Sequence, residues 1–390
     1  MAIAIRKCCG LYQKTMNRDI KVLSLVSYHF LPPKMGGQKG IALFNAYLSR
    51  TTDLTCITIK NNDTSFAPGY PVKNILSNSK FRYINPAYFF LLKKIIKKEG
   101  ITHLILEHPY YGWLGILLKK FCKVKLVVHS HNLEAGRFKS MGKWWWGILW
   151  HYEKMTHRKA DLNFFIQDDD RDLAMVSFKL DPPKCHTITY GFEMEKAPAP
   201  EEKFMARNLL RKTYSIHPDE KILLFNGTLD YLPNKEALDI ILEKINPLLL
   251  ADVTFKYRII ICGNKLPAAY DKLGAYANKH IIYAGFVDDI SLYFKGADIF
   301  INPVIEGGGI KTKVVEALGY DLSVVSTQSG AIGIPVAITG DKLNITADGN
   351  WEEFARQVVS IDPGNKIPSV FFDHFYWGNI AGKAAALIAK

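Results

Sequence analysis

The sequence predicts two α/β domains, each a doubly wound parallel sheet. Three observations carry that expectation. Short runs of Val, Ile, Leu and Phe recur along the chain, each followed by a segment with helical spacing. The length of 390 residues, 48% of them hydrophobic, suits two or three full-sized cores and excludes a disordered chain. A polar stretch with two prolines, GFEMEKAPAPEEK at 191–203, divides the chain near its middle.

The elements follow in order. Residues 1–18 show no clear period and read as a loose leader, with Met16 a second candidate start. IKVLSLVSYHF (20–30) is a continuous apolar run, as a strand buried on both faces shows. LPPKMGGQKG (31–40) reads as a Pro/Gly loop and IALFNAYLSR (41–50) as a helix. Strands at 54–60, 102–108 and 125–132 then alternate with helices at 87–100 and 112–122. The second half repeats the rhythm, with strands at 221–228, 257–264, 280–286, 298–304 and 322–327. Helices are expected from Asn234, at 289–297, at 311–320 and over NIAGKAAALIAK at the end. The expected domains are 1–195 and 196–372, with a terminal helix within 373–390 packing back towards the first.

Composition narrows the function. No apolar run reaches the roughly 18–20 residues that span a bilayer, and the segment before Arg6 and Lys7 is too short for a secretory core. The cysteines Cys8, Cys9, Cys56, Cys122, Cys185 and Cys262 form no CxxC pair, so they read as scattered thiols in a reducing compartment. Residues 1–195 hold 29 Lys+Arg against 15 Asp+Glu, a net +14, while residues 196–390 hold 21 against 22, a net −1. The basic half is suited to something anionic: a membrane surface, a nucleic acid or a phosphorylated acceptor.

The sharpest segment is INPVIEGGGIKTKVVEALGYDLSVVSTQSGAIGI (301–334). A strand ends, three glycines follow, and a helix opens between two lysines. Glycines let backbone approach an anion, and free N–H groups at a helix start point at it. Lys311 and Lys313 add charge, and Glu316 is placed to accept two hydrogen bonds from a ribose diol. A bare GGG would be a tight turn; GGG, KxK and Glu316 together read as a phosphate-plus-ribose site.

PVIEGGGIKTKVVEALGYDLSVVST (303–327) resembles the donor-site signature of retaining glycosyltransferase family 4. SYHFLPPKMGGQKG (27–40), VVHSHN (127–132), TITYGFE (187–193), FNGTLDYLPNKEAL (225–238) and YAGFVDDISLYFKGADIFINP (283–303) resemble further family segments, in order, over most of the chain. The resemblance implies the GT-B architecture, two Rossmann-like domains facing a central cleft. The N-terminal domain would bind the acceptor and the C-terminal one the nucleotide-sugar.

The resemblance also assigns roles. Gly36 and Gly37, with Lys39, would form a lip near the donor phosphates. Gly227 and Lys235 belong to the first donor-domain loop, where Asn234 and Lys235 suit a helix start with Asn234 as cap and a phosphate ligand equally well. Gly308, Gly309, Lys311 and Lys313 would hold the diphosphate and Glu316 the ribose. His131 would be the functional histidine near the transferred sugar. Strand period, not the resemblance, gives His129: if the strand continues that far, it points to the opposite face and packs. The family pattern has two glutamates separated by seven residues. Here that spacing from Glu316 leads to Gly308, and the nearest upstream acid is Glu306; the first glutamate's role would fall to Glu306 through a longer loop or to the backbone N–H groups of Gly308 and Gly309.

KSMGKWWWGILWHYEKMTHRK (139–159) joins three consecutive Trp to flanking cations, as a membrane interface favours. At helical spacing Trp146, Trp150 and Met155 would equally suit a core. With the +14 imbalance, the preferred reading is peripheral contact with anionic membrane.

The expected activity is retaining hexosyl transfer from a nucleotide-diphosphate sugar to a lipid-linked or cell-envelope saccharide, in the cytoplasm or at the inner face of the membrane. The nucleotide-sugar is a co-substrate; no cofactor, no metal and no nucleic-acid partner is expected. Asp168, Asp169 and Asp170 read as a helix start, where acids belong. The alternatives are a sugar-nucleotide epimerase of the same fold and a non-catalytic nucleotide-sugar or membrane-surface binder. A Rossmann oxidoreductase would want G-x-G-x-x-G after the first strand, which the sequence does not provide.

Overall fold

A computed structural model describes residues 19–390 apart from 34, 35, 68 and 308. The leader, with Met16, Cys8 and Cys9, therefore lies outside the described residues, as does Gly308. The chain divides into two compact units. The first runs to Glu193 and takes in Phe375–Lys390; the second is Met194–His374.

In the first unit seven parallel strands form one sheet: β1 (Lys21–Val26), β2 (Asp53–Ile59), β3 (Val72–Leu76), β4 (His103–Glu107), β5 (Lys125–Ser130), β6 (Leu162–Phe165) and β7 (Cys185–Thr187), in the order β3-β2-β1-β4-β5-β6-β7. The central strands are apolar because helices cover both faces; β4 is buried at every position and β1 at all but Lys21. The helix after β1 is Gly36–Leu48 and not 41–50: Gly36 and Gly37 are its opening residues and not a preceding loop.

The second unit holds β8 (Lys221–Asn226), β9 (Tyr257–Cys262), β10 (Ile281–Gly285), β11 (Ile299–Asn302), β12 (Ser323–Thr327) and β13 (Leu343–Thr346), all parallel, in the order β10-β9-β8-β11-β12-β13. Its core joins both sheet halves through residues such as Leu223, Phe225, Ile259, Ile301 and Val325. The stretch 191–203 is only in part a connector. Pro200 opens the helix Pro200–Tyr214, with Glu201 and Glu202 in its first turn, because proline's fixed φ suits the first helical position and acids suit the dipole there.

The closing helix, Trp377–Ile388, belongs to the first unit. The ring of Trp377 lies 5.6 Å from Tyr190 and 6.5 Å from Phe44. It lies so close to Gly191 that a β-carbon there would meet the indole at 2.4 Å. Among the described residues no helix is long and apolar enough to cross a membrane.

Candidate functional site

An open α/β sheet takes ligands beyond the carboxyl ends of its strands, where the strand order reverses. In the first unit that point lies between β1 and β4. Tyr28 follows β1 and His108 follows β4, and the Tyr28 hydroxyl lies 3.2 Å from His108 Nε2. His108 carries φ 70°, a conformation that costs a non-glycine residue energy and persists where surroundings enforce it. One surrounding group is Glu134, whose Oε1 lies 3.1 Å from His108 Nδ1. The other oxygen of Glu134 accepts from Arg137 at 3.1 Å.

Glu107, the last residue of β4, is fully buried, and one of its oxygens meets two imidazoles. His131 Nε2 is 2.8 Å away and His129 Nδ1 3.0 Å. His129 therefore shares a carboxylate with His131 and does not face the other way: residues i and i+2 of a strand project to the same side. Burial alone would raise the Glu107 carboxyl, but the neighbouring His129 and the bonds from both rings outweigh it and bring it down to about 2. Burial, reinforced by His108, lowers the His131 imidazole to about 4. At neutral pH the pair is a carboxylate accepting an N–H from a neutral imidazole. One ligand atom each from Glu107, His129 and His131 fall within 4.8 Å, a spacing that could hold a cation. The N–O distances are nevertheless those of ordinary hydrogen bonds.

Sequence reasoning missed Glu107. The available signal was an acid closing an otherwise apolar strand, which has to find a partner; the parallel register sets it opposite His129.

Beside this network the first unit holds a cavity of about 930 Å³. His108, His131 and Asn132 lie on its wall, and Gly37 and Gln38 bring the start of the first helix to it. A β-carbon on Gly37 would meet nothing within 4 Å. Lys39 has Glu193 at 3.8 Å. The tryptophan stretch divides: Trp144 is 84% exposed, Trp145 lines the cavity, and Trp150 packs on Phe178 at 5.7 Å. Met155 is exposed and so not in the core. Asp168, Asp169 and Asp170 form the first turn of the helix Asp168–Phe178.

In the second unit the order reverses between β8 and β11. The loop after β11 carries Glu306, which is exposed, then Gly307 at φ 96° and Gly309 at φ 75°, conformations glycine adopts freely. The helix Thr312–Gly319 follows, with Lys311 at its cap position and half-buried Glu316 on its second turn. The Lys311 ammonium donates to the Gly307 carbonyl. Lys313 donates to Asn234 Oδ1 at 3.1 Å and to the Asn226 carbonyl at 3.5 Å, above the Phe225 ring. Burial lowers Lys311 to about 8; burial, then the charge of Lys311, lowers Lys313 to about 7.

The loop after β8 meets this one. Asn234 is not a helix cap. The helix opens at Leu232, with Pro233 second, and Asn234 sits in its first turn, donating to the Thr228 carbonyl at 3.1 Å while holding Lys313. Gly227 makes room for it: a β-carbon there would lie 2.6 Å from the Asn234 amide. Lys235 pairs with Asp239 at 3.0 Å instead of turning to the glycine loop. The structure thus gathers Gly227, Gly309, Lys311, Lys313 and Glu316 on adjoining elements of the second unit. It places Gly36, Gly37 and His131 in the first.

Comparison with known proteins agrees with the fold. A family model described as Glycosyltransferase Family 4 matches residues 42–196. A second, described as Glycosyl transferases group 1, matches residues 220–361. Among curated proteins no sequence matches. Solved structures do. A glycosyltransferase from Rickettsia africae is 17% identical, with TM-score 0.69 over 95% of this chain and 98% of its own. HepE of Anabaena in complex with UDP is 13% identical, with TM-score 0.70 over 95% and 100%. The lipopolysaccharide outer core galactosyltransferase WaaB is 10% identical, with TM-score 0.64 over 95% and 99%.

Proposed function

This chain is a glycosyltransferase of the family 4, GT-B type, and we propose that it moves a hexosyl group, with retention, from a nucleotide-diphosphate sugar to a hydroxyl of a lipid-linked or cell-envelope saccharide. The observation that carries the donor assignment is the lysine pair at the β8/β11 reversal. Both ammonium groups bond only to neutral carbonyl oxygens, and neither meets a carboxylate among the described residues. Desolvated cations beside glycine N–H groups and a helix start are suited to a diphosphate.

The chemistry follows from where charge develops. The bond between the anomeric carbon and the diphosphate oxygen breaks, and its electron pair leaves with the diphosphate. Lys311, Lys313 and the N–H of Gly309 stabilise that oxygen more as its charge grows. The acceptor hydroxyl attacks from the face the diphosphate leaves, and its proton passes to a departing phosphate oxygen. Glu316 holds the ribose. His131, neutral and oriented by Glu107, hydrogen-bonds the sugar. Glu306 stands upstream in the loop, where it would take the part of the family's first glutamate. The binding of UDP by HepE and the lipopolysaccharide substrate named for WaaB support a uridine donor and an envelope acceptor. Exposed Trp144, directly after Lys143 and five residues beyond Lys139, supports peripheral contact with anionic membrane.

A thermal-shift panel of UDP-, GDP- and ADP-sugars tests the reading, since a ligand of the folded state raises its apparent stability. One base should stand out. Product stereochemistry by NMR should then show the donor's anomeric configuration kept. A chain stabilised by none of the three is not a transferase of this kind.

A further inference from the structure

The wall of the 930 Å³ cavity in the first unit has a composition the transferase reading does not explain. Aromatic rings dominate it: Tyr83, Tyr110, Trp113, Phe138, Trp145 and Tyr152. They are fixed in place. Trp113 Nε1 donates to the Tyr83 carbonyl at 2.6 Å. The Tyr152 hydroxyl donates to the Tyr110 carbonyl at 3.1 Å and accepts from the Trp113 N–H at 3.0 Å. Phe138 and Trp145 lie 4.6 Å apart. Preformed flat apolar surfaces of this size match the C–H faces of pyranose rings.

The charge on the wall is one-signed. Lys80, Arg82 and Arg137 line the cavity, and among the described residues no Asp or Glu does. Arg137 is engaged by Glu134. The other two cations have no counter-ion among the described residues. Arg82 is held by neutral acceptors: Nε donates to the Ser27 carbonyl at 2.8 Å, Nη1 to those of Asn78 and Ser79 at 2.9 and 3.0 Å, and Nη2 to the Tyr83 hydroxyl at 3.0 Å. Four bonds fix its plane while leaving its charge unneutralised. Lys80 is exposed and makes no ion pair. A neutral sugar would use stacking and hydroxyl contacts alone; a fixed, uncompensated guanidinium beside a lysine selects for a negative group.

We propose that this cavity holds the acceptor and that the acceptor is an anionic saccharide, a sugar carrying a phosphate or carboxylate that Arg82 and Lys80 read while the aromatic wall takes the ring. The proposal rests on the transferase reading, because His131, to which that reading gives the transferred sugar, shares the wall with Asn132.

The test uses the full chain and the fluorescence of Trp113 and Trp145. Glucose 1-phosphate, glucuronate and methyl glucoside are titrated separately. At least one anionic sugar should bind about tenfold or more tighter than methyl glucoside. The preferred anion distinguishes phosphate from carboxylate. Lys80→Glu should weaken the anionic sugar by about fivefold or more, as loss and reversal of an exposed charge does, and leave methyl glucoside unchanged. Arg82→Gln should do the same more strongly. Saturating UDP should leave the anionic sugar's affinity intact. Equal binding of all three sugars, or binding of none while UDP still binds, overturns the proposal and spares the transferase reading. Competition by UDP, with Lys80→Glu weakening both alike, gives the cavity to the donor and overturns it too. Failure of every sugar, and of the UDP-, GDP- and ADP-sugars alike, to bind sinks the underlying reading instead.

Discussion

The two units are built alike and equipped differently. Each reverses strand order once, at β1/β4 and at β8/β11, and each places its reactive groups at that reversal. In the second unit these groups are lysines and glycines from two loops, with ammonium groups lowered by burial to about 8 and about 7. In the first they form a buried network of histidines and carboxylates, with Glu107 at about 2 and His131 at about 4. One reversal is prepared for an anion with a fixed charge. The other is prepared to present oriented imidazole and to accept hydrogen bonds. One fold with one switch-point rule thus supplies two chemistries, and the side chains decide which.

The largest test of that contrast is turnover. Lys311→Ala and Lys313→Ala each remove a cation that the proposed mechanism sets against the leaving diphosphate, so kcat should fall by about 100- to 1,000-fold, more than donor KM rises. Normal turnover in both variants would reduce the glycine loop to a turn. Glu107→Ala should instead act on stability. It leaves the buried His131 N–H without its acceptor, at about 1–3 kcal/mol, and chemical denaturation should register the loss. Glu107→Gln keeps an acceptor oxygen and should recover part of it.

The units should also answer pH at opposite ends. The free lysines titrate near 7 and 8 and a bound diphosphate favours their charged forms, so nucleotide binding takes up protons. Affinity should fall by about tenfold per pH unit between 7 and 8 and by up to about 100-fold per unit above 8, where both lysines must take up a proton, and calorimetry in buffers of different ionisation enthalpy should register the uptake. In the first unit His131 is depressed below its ordinary value, so the unfolded chain takes its proton first. Stability is full above about 6.5 and is lost as pH falls towards 4. Glu107, also depressed, adds a loss between about 4.5 and 2. Six of the seven tryptophans belong to the first unit, so an acid titration followed by fluorescence reports mainly on it. The smallest effect concerns the membrane. Lys139→Glu with Lys143→Glu should weaken binding to phosphatidylglycerol vesicles by about 1 kcal/mol per charge removed, and added salt should do the same. Binding indifferent to both would leave Trp144 without a lipid role.

How far each site could be read from sequence follows from how local it is. The second unit's glycines, lysines and Glu316 stand within one segment, and backbone freedom, charge and helix start are properties of neighbours in the chain. Its hidden part is the Asn234–Lys313 bond, made across 79 residues. The first unit's network is assembled by strand pairing, and nothing local to Glu107 announces His129. Misassigning His129's face was an error of strand period and not of missing information. The edge strands β3 and β7 escaped notice for a different reason: VKNIL is mostly half-buried and CHT is three residues long, so neither shows the apolar run of a central strand.

The central claim is that the nucleotide is held by the second unit's reversal, while His131 acts on the sugar. The dissociation constant of the preferred nucleoside diphosphate, measured side by side for Glu316→Ala and His131→Ala, tests it most directly. Losing a charge-assisted ribose contact should cost about 2–4 kcal/mol in the first variant, while the second binds as the unaltered chain does. A folded Glu316→Ala protein with unchanged affinity, or an equal loss in both variants, would contradict it.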